Sequence, residues 1–292
     1  MLGASGMLGN AVFRLFAQST GFLTTGSLRS TNQLRYLAKD LHDHVICGVD
    51  VENLDSLKSL FAKSRPDVVI NCIGLVKQLA ASDDPLVVIP INAMLPHRLA
   101  RFCEVAGARL VHISTDCVFS GVKGMYREGD ISDANDLYGR SKFLGEVKSP
   151  HAITLRTSII GHELSGSQSL VGWFLAQQGV VRGFRRAVFS GLPTVELALI
   201  IRDYVIPRPE LHGLYHVSAK AINKYELLRL VANVYGKSVE IHPDDQFVID
   251  RSLDSSLFCQ ATDYQPKAWS ELIQLMHDFE NSNFKGGNHV DV

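Results

Sequence analysis

The chain has 292 residues, a formal net charge of -1 and a composition that is 46% hydrophobic and 20% charged. This profile is typical of a soluble globular protein with one substantial domain, or one domain with an added lobe. The near-neutral charge argues against nucleic-acid or membrane-surface partners, which usually require a basic excess, and no apolar run approaches the roughly 20 residues of a membrane span. The five cysteines are scattered singly, which favours reduced thiols in a cytoplasmic protein over a disulfide framework or a zinc site.

The first half of the chain alternates short apolar runs with helix-length amphipathic segments. In chain order, the pattern predicts a helix over 10–18, extended segments over 21–27 and 43–49, a helix over 54–62, a strand over 66–73, a helix over 93–106 and a strand over 109–113. Strands that alternate with helices imply parallel pairing through right-handed crossovers. We therefore predict an α/β fold with a doubly wound parallel sheet of the Rossmann type.

The alternation stops near residue 161. A glycine- and serine-rich segment, a strand and an amphipathic helix are predicted at 161–183, 215–218 and 224–235. This change predicts a nucleotide-binding domain over 1–160 and a smaller substrate lobe over 161–292. Segments near 187–204 and 213–218 are expected to return to the first domain.

Three glycines spaced by three residues open the chain. Gly3 permits a tight turn, Gly6 lets the backbone approach a pyrophosphate, and Gly9 lets helix and strand pack closely. The helix that follows aims its first N–H groups at the phosphates. Only Met1 and Leu2 precede the turn, so we expect a truncated first strand and a native chain that begins upstream.

The end of the second predicted strand indicates which dinucleotide binds. NAD sites usually place a carboxylate there, whereas this chain has no acid and carries Arg29, which suits a 2′-phosphate. We therefore predict NADPH, with NADH as the alternative cofactor and a solvated surface arginine as the alternative reading of Arg29. Asp50 is placed to meet the adenine amino group, with Val51 as an apolar wall.

A Tyr-x-x-x-Lys pair and a strand-end hydroxyl predict the chemistry. Tyr138 and Lys142 lie one turn apart on the same face of a predicted helix, where the ammonium is expected to lower the phenol pKa. The tyrosine can then pass a proton to a carbonyl oxygen while hydride moves to its carbon. Ser114 and Thr115 end a buried strand, where doubly wound sheets bind ligands, so a hydroxyl there can bond the same oxygen.

Together these motifs resemble those of extended short-chain dehydrogenase/reductases, and most closely those of the dTDP-4-dehydrorhamnose reductase group. The resemblance rests on G-A-S-G-M-L-G from Gly3, S-T-D-C-V-F-S-G from Ser114, L-Y-G-R-S-K-F-L-G-E from Leu137 and S-G-L-P-T-V-E-L-A from Ser190. It implies NAD(P)H-dependent reduction of the 4-keto group of a nucleotide-linked 4-keto-6-deoxy sugar for surface polysaccharide biosynthesis. It also implies a cytoplasmic enzyme that works as a homodimer.

The resemblance also implies site residues. Tyr138 becomes the general acid, Lys142 its partner and a ligand of the nicotinamide ribose, and Thr115 the hydroxyl that orients the keto oxygen. The expected cofactor-binding residues are Gly3, Ser5, Gly6, Met7, Leu8, Gly9, Arg29, Asp50, Val51, Asn71, Cys72, Ile73, Gly74, Asn92, Ser114, Tyr138, Lys142 and Thr157. The expected substrate-binding residues are Lys77, Gln78, Asp116, Cys117, Arg182, Thr194 and Arg251. Arg156 is expected near the nicotinamide, and Glu196 in the segment that shapes the substrate side.

Three departures from the group's pattern affect what is expected. Ile159 replaces an aromatic residue near the sugar, and Ala11 replaces a glutamate that helps some members hold magnesium, so no metal is predicted. The pair Lys77–Gln78 is similar to relatives that process UDP-N-acetyl sugars, which extends the expected substrate to N-acetylated sugars.

Two alternatives stay open at this point. A nucleotide-sugar epimerase or dehydratase with bound NAD would share the fold, but a dehydratase usually has an acidic pair after the strand-end threonine, where this chain has Asp116 and Cys117. A non-catalytic, cofactor-binding regulatory subunit would not need Tyr138 or Lys142, and both are present.

Overall fold

The computed structural model describes residues 1–75 and 83–281. The α-helices in these ranges are α1 (Met7–Gln18), α2 (Leu54–Ser64), α3 (Pro85–Val88), α4 (Leu95–Ala106), α5 (Leu137–Leu144), α6 (Leu170–Ala176), α7 (Thr194–Ile200), α8 (Lys224–Val234), α9 (Ser256–Thr262) and α10 (Trp269–Asn281). The strands are β1 (Gly26–Ser27), β2 (Val45–Ile46), β3 (Val68–Asn71), β4 (Arg109–Thr115), β5 (Ala152–Thr157), β6 (Ile159–Ile160), β7 (Val180–Phe184), β8 (Ala187–Phe189), β9 (Leu192–Pro193), β10 (Gly213–His216), β11 (Ile222–Asn223), β12 (Glu240–Asp244) and β13 (Ile249–Asp250). Short 3₁₀ or π segments cover Thr31–Tyr36, Lys39–His44, Ile89–Met94, Asp116–Val118 and Ile201–Val205.

A parallel sheet in the order β10-β5-β4-β3 forms the centre of the molecule, and β1 and β2 pair beside it. The residues before the glycine turn join the two groups. The Leu2 N–H donates to the Ile70 carbonyl at 2.9 Å, and the Ser27 N–H donates to the Met1 carbonyl at 3.0 Å. The first strand is thus reduced to a bridge between Leu2 and Asn71, but it still occupies the position between β1 and β3.

Both faces of this sheet are buried. Val69, Leu110 and Ala152 belong to one hydrophobic core cluster, whereas the next residue along each strand belongs to another. Because successive strand residues point to opposite faces, this arrangement requires helices on both sides of the sheet. The doubly wound α/β prediction is confirmed, and the carboxyl ends of the strands remain free to line a site.

The second half of the chain adds to the sheet and also builds smaller ones. Strand β10 pairs in parallel with β5, and α7 packs against α1. Strands β7 and β12 form one small sheet, and β11, β8 and β13 form another. The division at residue 160 into a cofactor domain and a substrate lobe stays a prediction. In the described ranges, no helix combines the length and apolarity that crossing a membrane would require.

Candidate active site

A cavity of about 800 Å³ opens at the carboxyl ends of β3 and β4. The glycine turn lines one end, α5 and the strand ends line the middle, and β7, β8 and the start of α8 line the other end. This volume is in the range of cofactor and ligand sites. The cavity brings Thr115, Tyr138 and Lys142 together, as the sequence motifs predict.

The glycine turn owes its shape to the close approach of two of its glycines. Gly3 has a φ of +84°, and a Cβ at Gly9 would lie 1.9 Å from the Gly3 carbonyl oxygen. Helix α1 begins at Met7 with Gly6 as its N-cap, which offers no capping side chain. The first backbone N–H groups of α1 therefore face the cavity without a side-chain partner from the cap, which is the arrangement that binds a diphosphate.

The end of β4 places the threonine hydroxyl. Thr115 caps a 3₁₀ turn: its Oγ1 accepts from the Cys117 N–H at 3.1 Å and donates to Asp116 Oδ1 at 3.2 Å. Helix α5 packs closely on this turn, since a Cβ at Gly139 would lie 2.2 Å from the Cys117 carbonyl oxygen. This contact brings Tyr138, the neighbour of Gly139, to Thr115.

Tyr138 is held in its protonated form. Burial raises the pKa of Tyr138, the nearby Cys117 and Asp116 raise it further, and a hydrogen bond with the Thr115 side chain only partly offsets these effects. The expected lowering of this pKa by Lys142 is wrong, because burial dominates. A protonated phenol is the form that can donate a proton to a carbonyl oxygen.

Lys142 retains most of its charge at neutral pH. Its Nζ donates to the Ile113 carbonyl oxygen at 2.7 Å. Burial lowers the pKa of Lys142 to about 8, and the Glu146 carboxylate works against that decrease. Lys142 also lies near the end of β3, because a Cβ at Gly74 would be 3.7 Å from its Nζ.

Eleven of the eighteen residues expected to bind the cofactor line the cavity. They are Ser5, Gly6, Met7, Leu8, Cys72, Ile73, Gly74, Ser114, Tyr138, Lys142 and Thr157. Gly3 and Gly9 shape the turn from behind. The Ser114 hydroxyl donates to Glu146 Oε1 at 2.8 Å, so this side chain is already engaged away from the ligand.

Asn71 and Asn92 are not among the cavity-lining residues, and their predicted contact with the cofactor stays a prediction. Asn71 Oδ1 accepts from the Ile73 N–H at 3.1 Å. Asn92 binds the backbone of Leu75 twice, with Oδ1 accepting at 2.8 Å and Nδ2 donating at 3.1 Å. Both amides are buried and hold the chain just after β3, so they support the cavity wall from behind.

Arg29, Asp50 and Val51 lie beyond the ends of β1 and β2 rather than among the cavity-lining residues. Arg29 is exposed, Asp50 accepts from the Glu52 N–H at 3.0 Å, and Val51 packs against a core cluster. They lie at the carboxyl edge where the adenosine half of a dinucleotide binds in this fold. Their roles stay predictions.

The substrate end of the cavity contains four of the predicted residues: Asp116, Cys117, Arg182 and Arg251. Arg251 donates from Nε to the Phe119 carbonyl oxygen at 2.9 Å, and its Nη1 lies 3.7 Å from Cys117 Sγ. Arg182 pairs with Asp244 at 3.3 Å, with 70% of its side chain exposed. Lys77 and Gln78 lie outside the described residues.

Three other expected site residues lie elsewhere. Thr194 begins α7 and packs on Gly161, away from the cavity lining. Arg156 is buried and forms a two-pronged ion pair with Glu146, at 2.6 and 2.7 Å, instead of facing a nicotinamide. Glu196 is buried and pairs with Lys267 at 2.6 Å. These polar side chains lie in the interior behind the cavity. A charged group in the interior is stable only when it is paired, as Arg156 and Glu196 are.

Lys224 and Trp173 also line the cavity, although neither is among the site residues predicted from the sequence. The available signal was the position of Lys224 in the first turn of α8, because a cation there opposes the helix dipole. Trp173 is 37% exposed, whereas its neighbour Phe174 is fully buried in the core.

Comparisons with known proteins agree with this geometry. The model of the family described as "RmlD substrate binding domain" matches residues 1–278. The probable low-salt glycan biosynthesis reductase Agl14 of Haloferax volcanii is 31% identical over 176 residues, which cover 59% of this chain and 56% of that protein. The methionine adenosyltransferase 2 subunit beta of Xenopus tropicalis is 24% identical over 80% of this chain and 70% of its own length.

Among solved structures, the dTDP-4-dehydrorhamnose reductase of Bacillus anthracis in complex with NADP superposes with a TM-score of 0.73 at 20% identity, covering 95% of this chain and 97% of that one. At this identity the likeness concerns the fold. The family match is of a different kind, because it extends from the glycine turn to α10 and includes the catalytic segment. The chain therefore belongs to the RmlD substrate binding domain family, within the extended short-chain dehydrogenase/reductases.

Proposed function

We propose that this chain reduces the 4-keto group of a nucleotide-linked 4-keto-6-deoxy sugar with NADPH, in surface polysaccharide biosynthesis. One observation carries the proposal: Thr115, Tyr138 and Lys142 meet in a single cavity, between the glycine turn and the basic residues of the other end. Family membership and the reductase among the relatives support it.

In this proposal Tyr138, Thr115 and Lys142 each have a separate role in the reduction. Bound NADPH supplies the hydride that reduces the carbonyl carbon. Tyr138 donates its proton to the carbonyl oxygen, and its raised pKa keeps that proton available at neutral pH. The Thr115 hydroxyl binds the same oxygen and orients it. The Lys142 ammonium stabilises the phenolate that Tyr138 leaves behind.

The far end of the cavity suits the nucleotide part of the substrate. Arg182 and Arg251 supply guanidinium groups that can bind a diphosphate in two-pronged fashion. Phe184 and Phe247 lie at this end with ring centroids 5.4 Å apart, and they offer apolar surface to a base. The prediction from the sequence that Lys77 and Gln78 bind the substrate is part of the proposal.

We also propose the organisation predicted from the sequence. Residues 1–160 hold the cofactor and 161–292 the substrate, while 187–204 and 213–218 belong to the first domain. The pairing of β10 with β5 and the packing of α7 on α1 support this assignment. The proposal includes that the protein acts in the cytoplasm as a homodimer.

The test is NADPH oxidation with dTDP-linked and UDP-linked 4-keto-6-deoxy sugars. We expect turnover by the wild type, a 10²–10⁴-fold lower kcat for Tyr138→Phe, and little change for the matched control Tyr215→Phe in β10. An epimerase or dehydratase would convert a sugar without net NADPH oxidation, and a regulatory subunit would bind NADPH without turnover. Either result, or full activity of Tyr138→Phe, would contradict the proposal.

A further inference from the structure

Lys224 is a partly buried cation on the substrate side of the cavity. Asn223 caps α8 by accepting from the Glu226 N–H at 2.9 Å, and this cap places Lys224 at the first helical position. Its Nζ lies 4.0 Å from the centroid of the Phe189 ring. Burial lowers the pKa of Lys224 to about 8, while the nearby Asp116 and Cys117 raise it.

The fold does not need a lysine there. Even partial burial of an ammonium is costly unless it is hydrogen-bonded, and a cation in the first turn opposes the helix dipole. Within residues 1–75 and 83–281, no hydrogen bond joins Lys224 Nζ to a protein acceptor, although its side chain faces the cavity. Its donors are therefore available to a ligand, and the ring of Phe189 and the charge of Asp116 compensate for its burial only in part.

Asp116 places this cation close to the reacting group. Asp116 follows Thr115 directly and accepts from the Thr115 hydroxyl at 3.2 Å. Asp116 is itself buried, and burial raises its pKa, while Arg251 and Lys224 lower it. The Phe189 ring under Lys224 belongs to β8, which pairs with β13 just before Arg251, and Arg251 Nη1 lies 3.7 Å from Sγ of Cys117, the neighbour of Asp116. An ammonium that only donates and a carboxylate that accepts thus line the same cavity as Thr115, the threonine proposed to bind the keto oxygen. Arg182, by contrast, is mostly exposed and already pairs with Asp244.

We propose that Lys224 and Asp116 together recognise the polar substituent on the sugar carbon next to the reacting carbonyl, a hydroxyl or an acetamido group. This inference rests on the proposed function and deepens it. A hydroxyl can accept from the ammonium and donate to the carboxylate, and an acetamido group can do the same through its oxygen and its N–H. Lys224 is then a specificity-determining residue that contacts the sugar, and Arg182 and Arg251 remain for the diphosphate.

The experiment compares how much the sugar adds to nucleotide affinity. Calorimetry with NADPH-loaded protein gives Kd for dTDP and dTDP-rhamnose, and for UDP and UDP-N-acetylglucosamine. In the wild type we expect the nucleotide sugar to bind more tightly than the corresponding free nucleotide in at least one of these two pairs. Lys224→Met should lose about tenfold or more of that gain while its affinity for the nucleotide alone stays the same. Lys220→Met, at a nearby exposed lysine, should behave as wild type.

Each other outcome counts against either the role of Lys224 or the proposed function. If Lys224→Met loses equal affinity for the nucleotide and the nucleotide sugar, Lys224 binds the diphosphate, and its role in sugar recognition is overturned while the proposed function stands. The same conclusion follows if the gain in affinity that the sugar brings is as large in Lys224→Met as in the wild type. If the wild type binds neither nucleotide sugar, the proposed function fails first. If Lys224→Met does not fold because Asp116 is left unpaired, the variant Lys224→Met/Asp116→Asn removes both charges and must show the same loss.

Discussion

The Nζ atom of Lys142 and the carbonyl oxygen of Ile113 lie 2.7 Å apart, so this ammonium, to which the proposal gives a catalytic role, is anchored to the strand that carries Thr115. The same burial lowers the pKa of Lys142 to about 8 and raises that of Tyr138. As pH rises through about 8, Lys142 loses its charge while Tyr138 keeps its proton.

The first prediction is therefore a pH profile with a single descending limb. We expect kcat/KM for the keto sugar to fall above about pH 8, because the free enzyme loses the Lys142 ammonium there. Initial rates measured from about pH 6 to about pH 10, a range that brackets this pKa, would show the fall in kcat/KM. In Lys142→Arg the part of this fall that Lys142 causes should vanish, since a guanidinium does not titrate, and the part that remains should come from Lys224, whose pKa is also about 8. A fall that is unchanged in Lys142→Arg but vanishes in Lys224→Arg would assign it to Lys224 alone.

The glycine turn yields a second prediction, in which two glycines behave differently. Gly9→Ala forces its Cβ against the Gly3 carbonyl oxygen at 1.9 Å, so we expect a loss of about 3 kcal/mol or more in the free energy of unfolding. Gly6→Ala meets its nearest atom at 3.4 Å and has an extended φ of -81°, so stability should change little while NADPH binds more weakly. Urea denaturation and NADPH titration separate the two effects. Equal stability of both variants would contradict this account.

Arg29 tests the cofactor preference. It is exposed just after β1, where a 2′-phosphate would be bound. We expect Arg29→Ala to raise the KM for NADPH about tenfold, through loss of charge-assisted hydrogen bonds, and to leave the KM for NADH unchanged. Arg229→Ala, on α8, is the matched exposed control. A parallel change with both cofactors would rule out this role for Arg29.

The buried pair of Arg156 and Glu146 yields a prediction about stability. Both side chains are nearly inaccessible and share two hydrogen bonds, so removing one partner leaves an unpaired charge in the interior. Arg156→Met should lower the free energy of unfolding by about 3–5 kcal/mol. The variant Arg156→Met/Glu146→Leu should recover part of that loss, measured by the same urea denaturation. Normal stability of Arg156→Met with a raised KM for NADPH would instead restore its expected place beside the nicotinamide.

The sequence by itself determined the fold class, the glycine turn and the motifs that carry Thr115, Tyr138 and Lys142, because each is a local pattern. An i, i+4 pair shares a helix face, and a β-branched run between helices is typical of a buried parallel strand. The family resemblance also rests on short sequence motifs, and it is confirmed by the family match over residues 1–278.

Only the tertiary structure decided which polar residues face the cavity. Asn92 binds the backbone of Leu75, Arg156 turns to Glu146, and Thr194 packs on Gly161, since each side chain's direction depends on elements far away in the chain. Lys224 reaches the site for the same reason, because β8 and the turn after β4 enclose it. The raised pKa of Tyr138 likewise reflects burial by the whole fold, which no spacing of residues along a helix reveals.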